Sequence, residues 1–304
     1  MNKHISLINK FIIGLALILF VNPLVTIESH ATTTSTPTTI YSYGSQRAKV
    51  GSDYYWIDLN RGLLKSKSKT GSGSVIVKYQ GYGLSAVISG KNIYYGISKG
   101  TKLALYKCNN NGKNKKLLKR VKTPYGGTLA GFYGNSIYYT ASSSVASPLT
   151  IHTYRYDIKK KKKHRVASNL VLNQVNGRYF VGTYNSGDLH PMPLKVYNAK
   201  SKKLKTIDKK MMGYKVHKNT VYFAHINSIS SNFNLKFTLK KYNLKTGKTS
   251  SIAKKTFKGS YASVGMTNKY AVYQGTNGKY YKYTYKTKKT TVVSSHQYNN
   301  TSSY

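Results

Sequence analysis

Carboxylates are scarce enough in this chain to be taken one by one. Downstream of residue 31 they are Asp53, Asp58, Asp157, Asp188 and Asp208. Acid–base chemistry at a glycosidic bond needs two carboxyl groups about 5–9.5 Å apart. Asp53 and Asp58 are separated by five residues, which on a strand means opposite faces and about 16 Å. The other three lie in different segments and offer no pair by spacing, and no cluster dense enough for calcium is visible. The histidines are scattered, with no H-E-x-x-H motif and no Cys/His metal spacing. His225 reads as a strand residue. Cys108 is the single cysteine, which excludes an internal disulfide and reads as a buried thiol. Serines are plentiful, but no G-x-S-x-G elbow is present. These residues predict no metal, no cofactor and no enzymatic activity.

One stretch stands apart. "TYNSGDLHPMPL" at 183–194 carries Tyr184, Asp188 and His190 with two prolines. An Asp beside a His can hold an imidazole in one tautomer, so these three form a candidate ligand loop. "ASSSVASPL" and "HINSISSNFN" are long loops at the matching places of the neighbouring segments.

Cations dominate the surface chemistry. Among 304 residues there are 50 Lys+Arg and 6 Asp+Glu, a formal net charge of +44. Yet 39% of residues are hydrophobic and 30 are tyrosine, which a disordered polycation would lack. The chain therefore reads as a folded domain with a strongly basic surface, attracted to polyanions. Lysine predominates over arginine. It acts as a point charge without a bidentate fork, which favours loose capture over shaped recognition.

The elements that position these cations come from an internal repeat. "GSDYYW", "GKNIYY", "GNSIYY", "NGRYFV", "KNTVYF" and "TNKYAVY" recur, matching at Tyr54, Ile93, Ile137, Tyr179, Val221 and Tyr270, about 40–50 residues apart. A second motif follows in the last five units, through Cys108, Tyr156, Tyr197, Tyr242 and Tyr283, while the first unit, "RGLLKSKSKTGSGSVIV", lacks its tyrosine. Each unit divides into four short runs of aromatic and β-branched residues broken by Gly, Asn and Ser. No helical period is sustained. The expected fold is all-β, a β-propeller of six four-stranded blades over 44–296.

The repeat also places the lysines. They fall at the tips between third and fourth strands: Lys113, Lys115 and Lys116; Lys159, Lys160, Lys161, Lys162, Lys163 and Arg165; Lys200, Lys202 and Lys203; Lys245 and Lys248; Lys286, Lys288 and Lys289. Turn chemistry explains the Asn, Gly and Asp around them. In a propeller these tips share a face with the turns between first and second strands, where "SGKN", "NGRY" and "VHKN" add more cations. The loop face with Tyr184 would be opposite.

The N-terminus has the order of a secretory signal: Lys3 and Lys10, an apolar run at 11–21, then small residues up to Ala31. The run is shorter than the roughly 20 residues of a membrane span. The expected organisation is a cleavable signal at 1–31, a Thr/Ser/Pro-rich linker at 32–43, the propeller, and a polar tail at 297–304. No covalent anchor is expected.

The "G-N-x-I-Y-Y … L-Y-K … G-K-x-K-K-L" pattern resembles the secreted TolB-like propeller repeats of Gram-positive bacteria over roughly 44–296. The resemblance implies a fold and an extracellular setting, not an activity. Together these readings predict a secreted, non-catalytic protein held on the cell surface by anionic wall polymers such as teichoic acid. Other extracellular polyanions, an anionic membrane surface and, without sequence preference, nucleic acid are further candidate partners. The alternative is a polysaccharide lyase on uronate polymers, which needs cations and a His or Tyr base but no carboxylate pair.

Overall fold

Strand periodicity in this chain is read from both sides. A computed structural model describes residues 37–41, 47–144, 150–184, 192–260 and 264–302. Strand β1 (Thr38–Tyr41) comes first. The first repeat folds as β2 (Ala48–Val50), β3 (Asp53–Asp58), β4 (Gly62–Ser66) and β5 (Ser74–Lys78). The second gives β6 (Leu84–Ser89), β7 (Asn92–Lys99), β8 (Lys102–Asn109) and β9 (Lys116–Lys122). The third gives β10 (Gly127–Tyr133), β11 (Ser136–Ser142), β12 (Ile151–Asp157) and β13 (Lys162–Ala167). Next are β14 (Leu170–Asn176), β15 (Tyr179–Tyr184), β16 (Met192–Asn198) and β17 (Lys203–His217). The fifth repeat continues with β18 (Thr220–Ile229), β19 (Asn234–Asn243) and β20 (Thr249–Ser251), and β21 (Phe257–Ser260) follows. The sixth gives β22 (Gly265–Met266), β23 (Tyr270–Gln274), β24 (Tyr280–Thr284) and β25 (Thr290–Val293), followed by helix α1 (Ser295–Ser302).

The described residues form two compact units. The N-terminal unit runs to Tyr184 and includes 197–203. It holds three complete antiparallel meanders, β2–β5, β6–β9 and β10–β13, and the β14–β15 pair. The C-terminal unit comprises 192–196 and the chain from Leu204 onward. It holds the meander from β17 to β20, with β21 added alongside β19, and the meander β22–β25. The boundary passes through β16 and the start of β17.

Within the N-terminal unit, successive sheets pack face to face, and this explains the tyrosine pairs. Adjacent residues of a strand point to opposite faces. Tyr95 enters a core with Tyr55, Ile57 and Val77 of the first repeat, while Tyr94 enters one with Leu129 and Phe132 of the third. Tyr94 and Phe132 stack at 4.1 Å between ring centres. One repeat later Tyr139 faces back to Leu103 and Leu105, and Tyr138 faces forward to Phe180 and Tyr197. In the C-terminal unit Phe237 and Leu239 pack with Phe257, Ala271 and Tyr273. A second strand with both faces buried needs apolar residues without alternation, and Ile93, Ile137 and Val221 are fully buried. The fourth strands are the outer edges: β9, β13, β20 and β25 are mostly exposed. Four-stranded meanders sandwiched between neighbours make the fold all-β and of the propeller type.

Some boundaries differ from the sequence reading. The Thr/Ser/Pro-rich segment at 32–43 contains β1, which adds antiparallel to β6 and makes that sheet five-stranded. Thr39 and Ile40, which point to opposite faces of β1, are both buried there. The polar segment at 297–304 overlaps α1, whose Tyr298 stacks on Tyr280 at 4.6 Å. In the sixth repeat Ala271, not Tyr270, lies opposite the third-strand Tyr283, as Ile137 lies opposite Tyr156. The signal segment 1–31 lies outside the described residues. Among the described residues no helix is long and apolar enough to cross a membrane.

Candidate functional site

The lysine-bearing turns are held by one recurring backbone bond. The amide of Asn110 donates to Lys91 O at 3.0 Å, Ile158 to Asn135 O at 2.9 Å and Ala199 to Arg178 O at 2.8 Å. In the C-terminal unit Leu244 donates to Asn219 O at 2.8 Å and Tyr285 to Lys269 O at 2.9 Å. Each bond joins a third-to-fourth-strand hairpin to the first-to-second-strand turn of its own repeat. The cations of both turns therefore sit at one end of each of these five repeats. Side-chain oxygens tighten the hairpins in Asx fashion. Lys160 N donates to Asp157 Oδ1, Lys200 N to Asn198 Oδ1 and Lys245 N to Asn243 Oδ1. The Lys160 amide holds the Asp157 carboxyl below its ordinary pKa.

Every hairpin lysine singled out from sequence, and Arg165, is exposed. Lys163 lies over the Tyr154 ring at 5.0 Å. The ion pairs found among the described residues lie elsewhere, at Asp53 and Asp208.

Backbone conformation singles out four of the turn lysines. Lys161, Lys202 and Lys288 have φ of 54°, 56° and 55° just before the fourth strand. Gly247 takes φ 70° at the corresponding place of the fifth repeat. The match of Lys288 to Gly247 is bond for bond. Lys288 N donates to Thr284 O and Gly247 N to Asn243 O, while Thr284 N donates to Lys289 O and Asn243 N to Lys248 O. In the other turn Lys218 has φ 52°, where Gly51, Gly90, Gly134 and Gly177 stand in the first four repeats. A Cβ at those four glycines would meet nothing within 4 Å. Space is thus no obstacle to a side chain, but the left-handed region disfavours any residue with a Cβ by about 1–2 kcal/mol.

The described acids all have structural partners. Asp53 pairs with Lys65 at 3.0 Å and Lys67 at 2.7 Å. Burial raises its carboxyl, but the two lysines outweigh that and hold it below the usual range. Asp58 Oδ1 accepts from the amides of Asn60 and Arg61. Asp208 is 5% exposed, and its Oδ2 lies 2.7 Å from His225 Nδ1, with His225 27% exposed. Its Oδ1 accepts from Lys210 N at 2.8 Å. Sequence spacing pairs Asp208 with no other acid and shows His225 only as a strand residue; the structure joins the two. Cys108 is buried, and burial raises its thiol pKa.

Of the candidate ligand loop, Tyr184 ends β15 opposite Leu170 and is half-buried. Asp188 and His190 lie outside the described residues. Among the described residues no group of three or more His, Cys, Asp or Glu could hold a metal ion.

No protein-family model matches the chain, and no curated protein matches it. Solved structures similar to it include an uncharacterized protein of Listeria monocytogenes, at 11% identity over 88% of this chain and 86% of that one, with a TM-score of 0.47. An oligogalacturonate lyase of Vibrio parahaemolyticus is 12% identical over 79% and 70%, with a TM-score of 0.45. A TolB of Agrobacterium tumefaciens is 12% identical over 62% and 85%, with a TM-score of 0.33.

Proposed function

We propose that this chain is an extracellular polyanion-binding protein, retained on anionic cell-wall polymers of the teichoic acid kind by its lysine-bearing turns, with no catalytic step. The observation that carries the reading is the presence of Lys161, Lys202, Lys218 and Lys288 at positive φ. Lysines on outer strands, such as Lys116 and Lys162, have a sufficient structural role, because charge on an edge strand blocks pairing with another chain. That role does not account for lysine at a turn position where glycine is easier. A cation held there against local strain points to a use for its charge. Export, a Gram-positive setting and membership of the secreted TolB-like set belong to the same proposal. They rest on the apolar run at 11–21 and the repeat motif.

A flexible polyanion would meet many weak contacts, each releasing counterions. The test is co-sedimentation of the protein with purified Gram-positive walls, before and after teichoic acid extraction, across a salt series. Binding should vanish with the polymer and fall steeply with salt. Reversal of residues 159–163 to glutamate should weaken it. Binding that survives both extraction and salt would overturn the reading.

The alternative, a lyase on uronate polymers, draws on the pairing of His225 with buried Asp208 beside the exposed Lys209 and Lys210. A carboxylate-oriented imidazole, on a strand paired with one that carries lysines directly after that carboxylate, has the parts for proton abstraction from an acidic sugar. Appearance of unsaturated uronate absorbance on incubation with acidic polysaccharides, lost in His225→Ala, would establish it in place of the binding reading.

A further inference from the structure

The hairpin of β18 and β19 is built differently from its neighbour in the C-terminal unit. Each of its strands has 10 residues, against 5 in β23 and 5 in β24. Its far end is braced, because β21 pairs with β19 from Asn234↔Ser260 to Phe237↔Phe257. The turn is tied by three bonds: Ser230 N to Asn234 O at 2.9 Å, Phe233 N to Ser230 O at 3.0 Å, and Asn234 N to Ser230 Oγ at 3.1 Å. This ordered tip presents apolar side chains to solvent. Phe233 is 66% exposed and Ile229 is 39% exposed. Phe233 is held at φ 54°, a conformation that suits Gly or Asn far better than an aromatic residue.

Residues 227–234 read "NSISSNFN" and carry no charge. Immediately behind them Lys236 and Lys258 are cross-strand partners, and both are exposed. Like charges placed directly opposite repel unless an anion lies between or beside them. The hairpin end therefore carries two exposed apolar side chains flanking an uncharged turn at 230–232, with a pair of cations just behind them. Exposed apolar side chains on an uncharged hairpin end backed by cations suit an anionic bilayer surface, which offers both an acyl boundary and lipid phosphates.

We propose that the β18–β19 hairpin docks on anionic lipid bilayers, with Phe233 and Ile229 entering the headgroup–acyl boundary and Lys236 and Lys258 on lipid phosphates. A wall polymer of phosphate and polyol would satisfy the lysines but offers no apolar phase for Phe233 and Ile229, so the lipid surface is the better fit. This inference stands independently of the wall-polymer reading, because it uses none of the lysine turns.

The test is sedimentation of the purified protein with phosphatidylglycerol-containing and with purely phosphatidylcholine vesicles. The comparison variants are Phe233→Asn, which suits the left-handed turn, and Ile229→Ser/Phe233→Asn together. The apolar run at 11–21 is common to all of them, so differences report the hairpin tip. Wild type should bind the anionic vesicles, and the double variant should bind at least about tenfold more weakly. Its sedimentation with cell walls should be unchanged, which separates failure here from failure of the wall-polymer reading. Phe233→Trp adds a direct signal: blue-shifted emission and quenching by brominated acyl chains beyond that of the parent protein. Equal vesicle binding by wild type and double variant would overturn the proposal. So would vesicle binding that salt abolishes with no acyl-chain quenching in Phe233→Trp, since that is adsorption by charge alone.

Discussion

His225 Nδ1 lies 2.7 Å from Oδ2 of Asp208, joining the second strand of the fifth repeat to the strand that leads into it. The carboxylate is almost fully buried, its other oxygen takes the Lys210 amide at 2.8 Å, and the imidazole is partly open. One polar link thus ties β17 to β18 beyond the ladder. Asp208→Ala leaves His225 without this partner and should destabilise the protein by about 1.5–3 kcal/mol, the range for hydrogen bonds to charged groups. Urea unfolding of both proteins checks it. If the pair is structural only, salt-dependent wall binding is unchanged in the variant.

Lys288 and Gly247 set stability against binding. Lys288→Gly removes the cost of a Cβ at positive φ but loosens the unfolded chain, so stability should stay level or rise by up to about 1 kcal/mol. Lys288→Ala keeps the strain and should give no such gain. Both remove one cation, and both should lower the slope of log affinity against log salt for the wall polymer by roughly 0.7–0.9. Thermal unfolding and a salt series on the three proteins separate the two effects. A lower Tm for Lys288→Gly than for Lys288→Ala would contradict the strain argument.

Asp53 predicts the sign of an acid effect. Burial raises its carboxyl and the hydrogen bonds and charges of Lys67 and Lys65 lower it, leaving the folded pKa below the ordinary value. A group depressed in the folded state contributes stability above its unfolded pKa, about 3.9 for Asp, and loses that contribution as pH falls through the folded value. The stability difference between wild type and Asp53→Asn should hold steady from neutrality to about pH 5 and shrink below about pH 4. Denaturant titrations across that window test it. A difference that grew toward low pH would contradict the assignment.

Cys108 should behave as a core residue. Its side chain packs with Ile93 and Tyr95, and burial raises its pKa. Thiolate is the reactive form, so aromatic disulfide reagents should label it at the rate of unfolding, and fully only in denaturant. Rapid labelling of the native protein would place the thiol at the surface instead.

The repeat, the four short strands of each unit and the turn positions of the lysines are legible in the sequence. Each rests on local chemistry: period-two burial, Asx and Gly turn residues, and the spacing of tyrosine pairs. The sequence also shows that those pairs need two buried faces. Which ring enters which core, Tyr95 with Tyr55 but Tyr94 with Phe132, appears only when neighbouring sheets are in place. The Asp208–His225 pair is hidden for a further reason. The register between β17 and β18 shifts at a bulge between Met211 and Tyr214. Counting alternate residues along the chain therefore fails to bring the two side chains together. The positive φ of Lys161, Lys202, Lys218 and Lys288 is likewise imposed by how each turn closes on its neighbour, since lysine has no intrinsic preference for it. Strand content, repeat and charge thus follow from the sequence alone, because they depend on residues near one another in the chain. Pairing across bulges, the sharing of rings between cores and the strain at the turns were decided by the tertiary structure, because they depend on register and on which sheets meet.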